Sequence, residues 1–264
     1  MVKKLVRRAL DRAGFEITRK QAPLSLTFPT LDEEGERMIR VVRPHTMVAH
    51  EGLVSLYSQA LFCEAHSLPG DFVECGVWKG GAVGLMALAN LRHSPVRRHL
   101  HLFDAFQEIC EPDEAVDGER AIREVRSLSP NFGTKGQLVP LKGIYDGRGG
   151  PGSVAEIQAL LVDRIDYDPA YLHCHRGWFQ EVLPAERHGI ERIALLRIDA
   201  DWYASTKICL DYLFEKVVSG GFVIIDDYGA YEGCRKAVDE FVQASRKPLY
   251  LNVVNSEIRY LVVP

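Results

Sequence analysis

Apolar residues fall into short continuous runs that alternate with segments of helical spacing. The runs predict strands at residues 72–75, 99–103, 171–174, 193–198 and 220–225. The intervening spacing predicts helices at 50–66, 82–91, 115–128, 153–162, 205–217 and 231–245. Two last runs, 249–254 and 258–263, follow one another across a short turn. This order predicts an α/β fold with a mostly parallel sheet and an antiparallel edge strand.

The first 45 residues have a different pattern and are expected to lie outside that domain. Residues 1–20 place apolar side chains at helical spacing among lysines and arginines. Such a helix lies on an anionic membrane or packs against its own domain or a partner subunit. Prolines at 23, 29 and 44 make residues 20–50 irregular in expectation. We therefore divide the chain into an N-terminal helix with an irregular extension, 1–45, and one domain, 46–264.

Pairs of carboxylates follow two of the predicted strands. Asp199 and Asp201 come after the run 193–198, and Asp226 and Asp227 come directly after the next run. Parallel strands end at the same edge of a sheet, where ligands bind in open α/β folds. Four carboxylates brought together there need a compensating cation, and Mg²⁺ is the natural candidate. Taken singly, each aspartate is better explained as a helix cap or turn residue, and it is the two pairs together that indicate a site.

A glycine-containing turn follows the first strand, with the spacing Glu74-x-Gly76-x-x-x-Gly80-Gly81. Glycines let the backbone turn sharply and let a ligand approach closely, and the N–H groups of the next helix are free to bind it. A carboxylate at Glu74 is placed to hold an ammonium group. The spacing differs from the dinucleotide pattern Gly-x-Gly-x-x-Gly, which counts against a nicotinamide-dependent enzyme or another nucleotide-binding Rossmann protein.

Three further features are candidates for the site. Asp104 ends the second strand, where such folds hold ribose hydroxyls, although it also suits a turn cap. His173 and His175 share one face of the third strand as candidate ligands or bases, with a structural role as the commoner alternative. Residues 107–152 have the least regular pattern and suit a lid or acceptor-recognition insertion.

Composition narrows the class of protein. The chain has 264 residues and a net charge of -4, which argues against nucleic-acid binding. Its six cysteines form no Cys-x-x-Cys pair and are expected to be reduced core residues of a cytoplasmic protein. No apolar run has the length of a transmembrane helix.

Four stretches together resemble the macrocin O-methyltransferase (TylF-like) family, whose members are class I, metal-dependent methyltransferases that use S-adenosylmethionine. The stretches are residues 70–81, 176–179 together with 183–184, 197–206 and 220–228, and Thr46-Met47 fits the start of the family. The resemblance extends from about residue 46 to the end of the chain. It implies a Rossmann-like, seven-stranded sheet in the order 3-2-1-4-5-7-6 with helices on both faces.

The resemblance also implies roles for individual residues. Nine residues would contact the cofactor: Glu74, Gly76, Val77, Trp78, Gly80, Asp104, Gly177, Trp178 and Asp199. Asp199, Asp226 and Asp227 would bind Mg²⁺. Asp199 is also placed to act as the base, and Asp201 and His175 are the other candidates for catalysis.

The implied activity is Mg²⁺-assisted methyl transfer to a hydroxyl on a sugar of a natural product or surface glycan. Residues 104–108 depart from the Asp-Thr-Phe-Glu-Gly stretch of the family, and residues 108–169 match poorly, so the acceptor is not carried over. The alternatives are a catechol-type enzyme acting on an aromatic diol and a non-catalytic scaffold that retains the fold. The family also suggests a homo-oligomer.

Overall fold

The computed structural model describes residues 31–185 and 188–264, and in that part of the chain seven strands form one sheet. The strand order is β3-β2-β1-β4-β5-β7-β6, as the resemblance implied. The strands are β1 (Asp71–Cys75), β2 (Leu100–Asp104), β3 (Leu172–Arg176), β4 (Ile193–Ile198), β5 (Val217–Ile225), β6 (Asn252–Val253) and β7 (Arg259–Val262). The proposed amphipathic helix at residues 1–20 lies outside the described residues.

Eight α-helices occur in the described residues. They are α1 (Glu33–Val42), α2 (His50–Ala65), α3 (Gly81–His93), α4 (Gly118–Leu128), α5 (Val154–Gln158), α6 (Phe179–Val182), α7 (Tyr203–Leu213) and α8 (Glu232–Ala244). The segment Ala159–Arg164 continues α5 as a π-helix. Ser153 caps α5 by accepting a hydrogen bond from the Glu156 backbone N–H, and its hydroxyl donates to the Glu156 side chain at 2.8 Å. Within residues 31–185 and 188–264, no helix has the length and apolarity to cross a bilayer.

The first five strands are parallel, and β7 is antiparallel to both β5 and β6. This confirms the mostly parallel sheet and its antiparallel edge. Parallel neighbours need a crossover, and the helical segments between the strands supply it. The closing strands need only the short turn between them, so they pair as antiparallel neighbours.

The central strands are buried on both faces. All six residues of β4 are buried, and its Leu196 and Ile198 pack in one cluster with Leu210 and Leu213 of α7. Burial of this apolar surface contributes about 25 cal/mol per Å² to folding. The packing fixes where the strands end, and those ends carry the polar residues of the site.

Helix α1 corrects the expectation that residues 20–50 are irregular throughout. Its first turn is acidic, which suits a helix N-terminus, and Met38, Ile39 and Val42 are buried. Pro44 lies beyond the last residue of the helix, so it limits the helix rather than breaks it. Val217 and Val218 also belong to β5, so α7 ends earlier than predicted.

Candidate functional site

Strand register brings the ends of β1, β4 and β5 into line. Cys75 pairs with Ile198, and Ile198 pairs with Ile225. Beyond these pairs, the Asp199 backbone N–H donates to the Cys75 carbonyl at 2.8 Å, and that of Asp226 donates to the Ile198 carbonyl at 2.9 Å. The residues that leave the three strands therefore lie side by side, as the sequence predicted.

Gly76 makes this close approach possible. Its φ is +86°, in the left-handed region that favours glycine. A Cβ at this position would overlap the carbonyl oxygen of Asp199. The glycine is therefore required by the backbone geometry between β1 and β4, in addition to any contact with a ligand.

Three carboxylates form a compact cluster at the ends of β4 and β5. Asp199, Asp226 and Asp227 each offer an oxygen, and these atoms lie within 4.8 Å of one another. The backbone N–H of Asp201 donates to Asp227 Oδ2 at 3.2 Å, so the fourth aspartate is anchored beside the cluster. These four are the aspartates that the sequence predicted to meet. Oxygen ligands at this spacing suit a hard divalent cation.

Arg197 is the residue that the sequence analysis missed. Its side chain is 2 % exposed, and its guanidinium lies 2.8 Å from Glu74, 2.9 Å from Asp199 and 2.7 Å from Asp226. Part of the compensating positive charge is therefore built into the protein. The signal in the sequence was one arginine inside an otherwise apolar strand, Ile193–Ile198.

The electrostatics of the cluster follow from burial. Desolvation raises the pKa of Glu74 to about 8 and that of Asp226 to about 7, and in both cases Arg197 opposes the rise. Burial, reinforced by neighbouring carboxylates, holds the pKa values of Asp201 and Asp227 well above the ordinary range. One guanidinium is thus insufficient for five acidic groups, and the site favours a further cation.

Asp104 organises the glycine turn from the end of β2. Its Oδ2 accepts hydrogen bonds from the backbone N–H groups of Val77 at 2.7 Å and Trp78 at 3.1 Å. Its Oδ1 accepts from the Phe106 N–H at 2.6 Å. These hydrogen bonds confirm that Asp104 caps the turn. Because a carboxylate has about four acceptor positions, capacity for one more donor is left on Oδ1.

A cleft lies above these strand ends and is lined by many of the predicted site residues. Those in its wall are Gly76, Trp78, Asp104, Gly177, Trp178, Asp199 and Asp201. Glu74 is 1 % exposed and lies beneath the floor against Arg197. Val77, Gly80, Asp226 and Asp227 are likewise not among the residues that line the cleft.

His175 has a different location from the other candidates. Its ring stacks on Phe103 at 4.3 Å and on His101 at 5.3 Å, and it is not among the residues of the cleft wall. Burial, together with neighbouring histidines, lowers its pKa to about 4. The structure therefore separates His175 from the carboxylates with which the sequence analysis grouped it.

Hydrogen bonds hold the segment 107–152 against residues on two sides of the cleft. Trp202 Nε1 donates to the Cys110 carbonyl at 3.0 Å, and buried Asp117 accepts from the Tyr203 N–H at 2.6 Å. On the opposite side, Trp78 Nε1 donates to the Gly150 carbonyl at 3.1 Å. The segment supplies ten of the residues in the cleft wall: Gln107, Glu108, Ile109, Cys110, Glu124, Val125, Ile144, Tyr145, Arg148 and Gly152.

Comparison with known families decides the class of protein. The macrocin-O-methyltransferase (TylF) family model matches residues 13–130 and 157–258. The chain belongs to this family. The match begins well before residue 46, where the sequence analysis placed the start of the resemblance. Residues 131–156 fall outside the match, within the stretch that was expected to diverge.

Three relatives with similar sequences are O-methyltransferases. A 4'-O-methyltransferase of Streptomyces olivaceus that acts on 8-demethyl-8-(2,3-dimethoxy-alpha-L-rhamnosyl)-tetracenomycin C is 34% identical over 75% of this chain and 67% of its own length. Demethyldecarbamoylnovobiocin O-methyltransferase of Streptomyces niveus is 32% identical over the same shares. Mycinamicin III 3''-O-methyltransferase of Micromonospora griseorubida is 31% identical over 79% of this chain and 74% of its own length.

Solved structures agree with this assignment. The O-methyltransferase NovP is 29% identical, with a TM-score of 0.66 over 83% of this chain and 82% of its own. Calicheamicin methyltransferase CalS11, at 20% identity and a TM-score of 0.54, shares the fold over 89% of this chain and 93% of its own. The TylF-family chain is thus an S-adenosylmethionine-dependent O-methyltransferase.

Proposed function

We propose that this protein transfers a methyl group from S-adenosylmethionine to a hydroxyl of an uncharged sugar, with Mg²⁺ held by Asp199, Asp226 and Asp227. The observation that carries the proposal is the cluster of carboxylate oxygens, within 4.8 Å of one another, beside the glycine turn. A metal ion held there would lie beside a cofactor bound at the turn, because both groups of residues follow the carboxyl ends of adjacent parallel strands. The alternative is a catechol-type acceptor, and a screen of both acceptor classes distinguishes the two.

The cofactor residues proposed from the sequence fit the geometry in two ways. Gly76, Trp78, Gly177 and Trp178 border the cleft itself, and Asp104 retains an acceptor position suited to a ribose hydroxyl. Glu74 does not border the cleft but forms a buried ion pair with Arg197 beneath the glycine turn. When bound, S-adenosylmethionine would supply a methyl group on a sulfonium, which is labile enough that the protein needs no covalent intermediate.

The donor set fits a magnesium ion. Glu74, Asp199, Asp201, Asp226 and Asp227 place five acidic groups around one guanidinium. Oδ1 of Asp226 makes no hydrogen bond of good geometry, although Arg197 lies close to it. Bound Mg²⁺ would supply positive charge that favours the ionised form of an acceptor hydroxyl.

We assign the removal of the proton from the acceptor hydroxyl to Asp201. Asp199 pairs with Arg197 and belongs to the metal set, whereas the Asp201 main chain is anchored to Asp227 and its side chain borders the cleft. Burial raises the pKa of Asp201, which makes it a stronger base than an exposed aspartate. His175, outside the cleft wall, has no part in this proton transfer.

The acceptor class follows from the charge of the cleft. Its wall carries Asp104, Glu108, Glu124, Asp199 and Asp201 but, among its residues, only one arginine or lysine, Arg148. A phosphorylated sugar would meet like charge there, whereas an uncharged glycoside would not. Trp178, Trp202 and Tyr231 add aromatic surface for the C–H face of a sugar ring. The rhamnosyl group in the name of the Streptomyces olivaceus substrate supports a sugar acceptor.

Calorimetric titration with S-adenosylhomocysteine, with and without Mg²⁺, is the first test. We expect micromolar binding, followed by methyl transfer in a screen of uncharged glycosides and catechols. Asp227→Ala should abolish Mg²⁺-dependent turnover while retaining binding of S-adenosylhomocysteine, and exposed Asp211 on α7 supplies the matched control Asp211→Ala. Full activity of Asp227→Ala in a chelated buffer would remove the metal assignment. Turnover of catechols alone would favour the alternative acceptor.

A further inference from the structure

Five of the nine histidines of the chain lie together at the edge of the sheet where β2 and β3 pair: His99, His101, His173, His175 and His188. Register places His101 opposite His173. Their rings stack at 4.6 Å, and those of His99 and His173 lie 4.9 Å apart. The cluster lies apart from the carboxylates and contributes no residue to the wall of the cleft. The proposed methyl transfer gives it no role.

The ring nitrogens of the cluster face one another in pairs. His99 Nδ1 lies 2.8 Å from His173 Nε2, and His101 Nδ1 lies 3.0 Å from His175 Nε2. Two nitrogens bound to one ion at about 2.05 Å are about 2.9 Å apart at a right angle and about 3.4 Å apart at a tetrahedral angle. In the structure each pair is joined by an N–H···N hydrogen bond. An ion that replaced the shared proton at this separation would have the right-angled arrangement of a tetragonal or octahedral ion.

We propose that His99 and His173 form a binding site for a divalent transition-metal ion of tetragonal preference, with Cu²⁺ bound more tightly than Ni²⁺ or Zn²⁺. Of the two pairs, this one is accessible, since His99 is exposed and His173 is half-buried. His101 in the other pair is 4 % exposed and lies 3.3 Å from Asp71. His101, which belongs to the other pair, stacks on the His173 ring and supports it.

The chemistry of the pair selects the ion. Imidazole nitrogen suits Cu²⁺, Ni²⁺ and Zn²⁺, and Cu²⁺ has the highest affinity of the series. Mg²⁺ prefers oxygen ligands, so this site and the carboxylate site take different ions. Burial and neighbouring histidines lower the pKa of His173, so its ring is unprotonated at neutral pH and offers a lone pair. Water completes the coordination sphere.

A bound ion would join His99, the residue directly before β2, to β3, the edge strand of the sheet. Since the two imidazoles come together only when the strands pair, the ion binds the folded chain in preference to the unfolded one. Binding of that kind raises the free energy of unfolding as the concentration of the ion increases. The expected result is a higher melting temperature with Cu²⁺ and a smaller rise with Zn²⁺.

The test is a Cu²⁺ titration of the full chain in millimolar Mg²⁺, followed by calorimetry and electron paramagnetic resonance. The Cys174→Ser variant serves as the parent, because Cys174 is the one exposed cysteine and would reduce the ion. We expect one equivalent of Cu²⁺ with an axial signal and nitrogen hyperfine coupling. His173→Gln and, separately, His99→Gln should each weaken binding by about tenfold or more.

His66→Gln is the matched control, because His66 is exposed on a different surface, next to Phe62. It should leave Cu²⁺ affinity and the spectrum unchanged, and far-UV circular dichroism establishes that each variant is folded. Unchanged affinity in His99→Gln, a signal without nitrogen coupling, or tighter binding of Zn²⁺ than of Cu²⁺ would each overturn the proposal. Because His99 is exposed, its variant remains informative even where His173→Gln is unstable.

Discussion

Gly76 and Asp199 lie so close together that a side chain at position 76 would overlap the Asp199 carbonyl oxygen. The contact joins the glycine turn to Asp199, the first of the proposed metal ligands. The carbonyl belongs to the backbone, which does not give way as a flexible side chain does, and the φ of +86° adds strain for any other residue.

We expect Gly76→Ala to lower the free energy of unfolding by roughly 3 kcal/mol and to abolish measurable binding of S-adenosylhomocysteine. Denaturant unfolding and calorimetry measure the two effects. Gly147→Ala is the control, since that glycine has open space around it and no left-handed φ. A Gly76→Ala protein with the stability and affinity of the parent would refute the close-approach explanation.

Arg197 gives a second prediction. Removing one partner from a buried ion pair leaves charge unpaired, at a cost of about 3–5 kcal/mol. Arg197→Met should therefore destabilise the fold by that amount in a urea titration, because Glu74 and Asp226 lose their cation. Lys207→Met, which breaks the exposed pair with Asp211, should change stability by less than about 1 kcal/mol. Equal effects of the two variants would contradict this assignment.

Asp117 provides a test of the acceptor side of the cleft. It is 2 % exposed and accepts backbone N–H groups from Tyr203 at 2.6 Å and Asp113 at 2.7 Å, so it fastens the segment 107–152 to α7. Asp117→Ala should raise KM for the acceptor by about tenfold, since unsatisfied buried donors cost roughly 1–3 kcal/mol. Affinity for S-adenosylhomocysteine should change much less. Glu119→Ala, at an exposed position of α4, should alter neither quantity.

Stability in acid should depend on His175. Its pKa is about 4 in the folded protein, below the ordinary 6.5, so the unfolded chain binds more protons between these values. The free energy of unfolding therefore falls as the pH falls from about 6.5 towards about 4. In His175→Gln, the loss of stability between pH 7 and pH 5 should be smaller than in the parent. His66→Gln should retain the full loss.

The charge of the cleft predicts how acceptors are ranked. A sugar attached to a nucleoside diphosphate should be methylated about tenfold or more slowly than the same sugar in an uncharged glycoside, because like charges meet. Glu108→Gln and Glu124→Gln should reduce this difference, since both residues border the cleft. Glu114→Gln, at an exposed position, is the control. Faster turnover of the nucleotide-linked sugar would overturn the acceptor class.

The sequence by itself determined the order of strands and helices and the meeting of the four aspartates. Alternation of apolar runs and helical spacing is a local property, and parallel strands must end at a common edge. The sequence pattern therefore predicts that Asp199 and Asp226 meet, and in the structure their carboxylate oxygens lie within 4.8 Å of one another. Helix α1 was missed because its apolar face is short and its neighbours include prolines.

Only the tertiary structure decided which partners these residues have. The sequence assigned the compensating charge to a metal ion alone, but the fold brings Arg197 within 3 Å of three carboxylates from three strands or strand ends. In the fold, the Asp104 carboxylate accepts a hydrogen bond from the glycine turn. His175 lies among other histidines and outside the cleft wall. Hydrogen bonds and desolvation of this kind depend on distances between residues far apart in the chain, and residue order does not encode those distances locally.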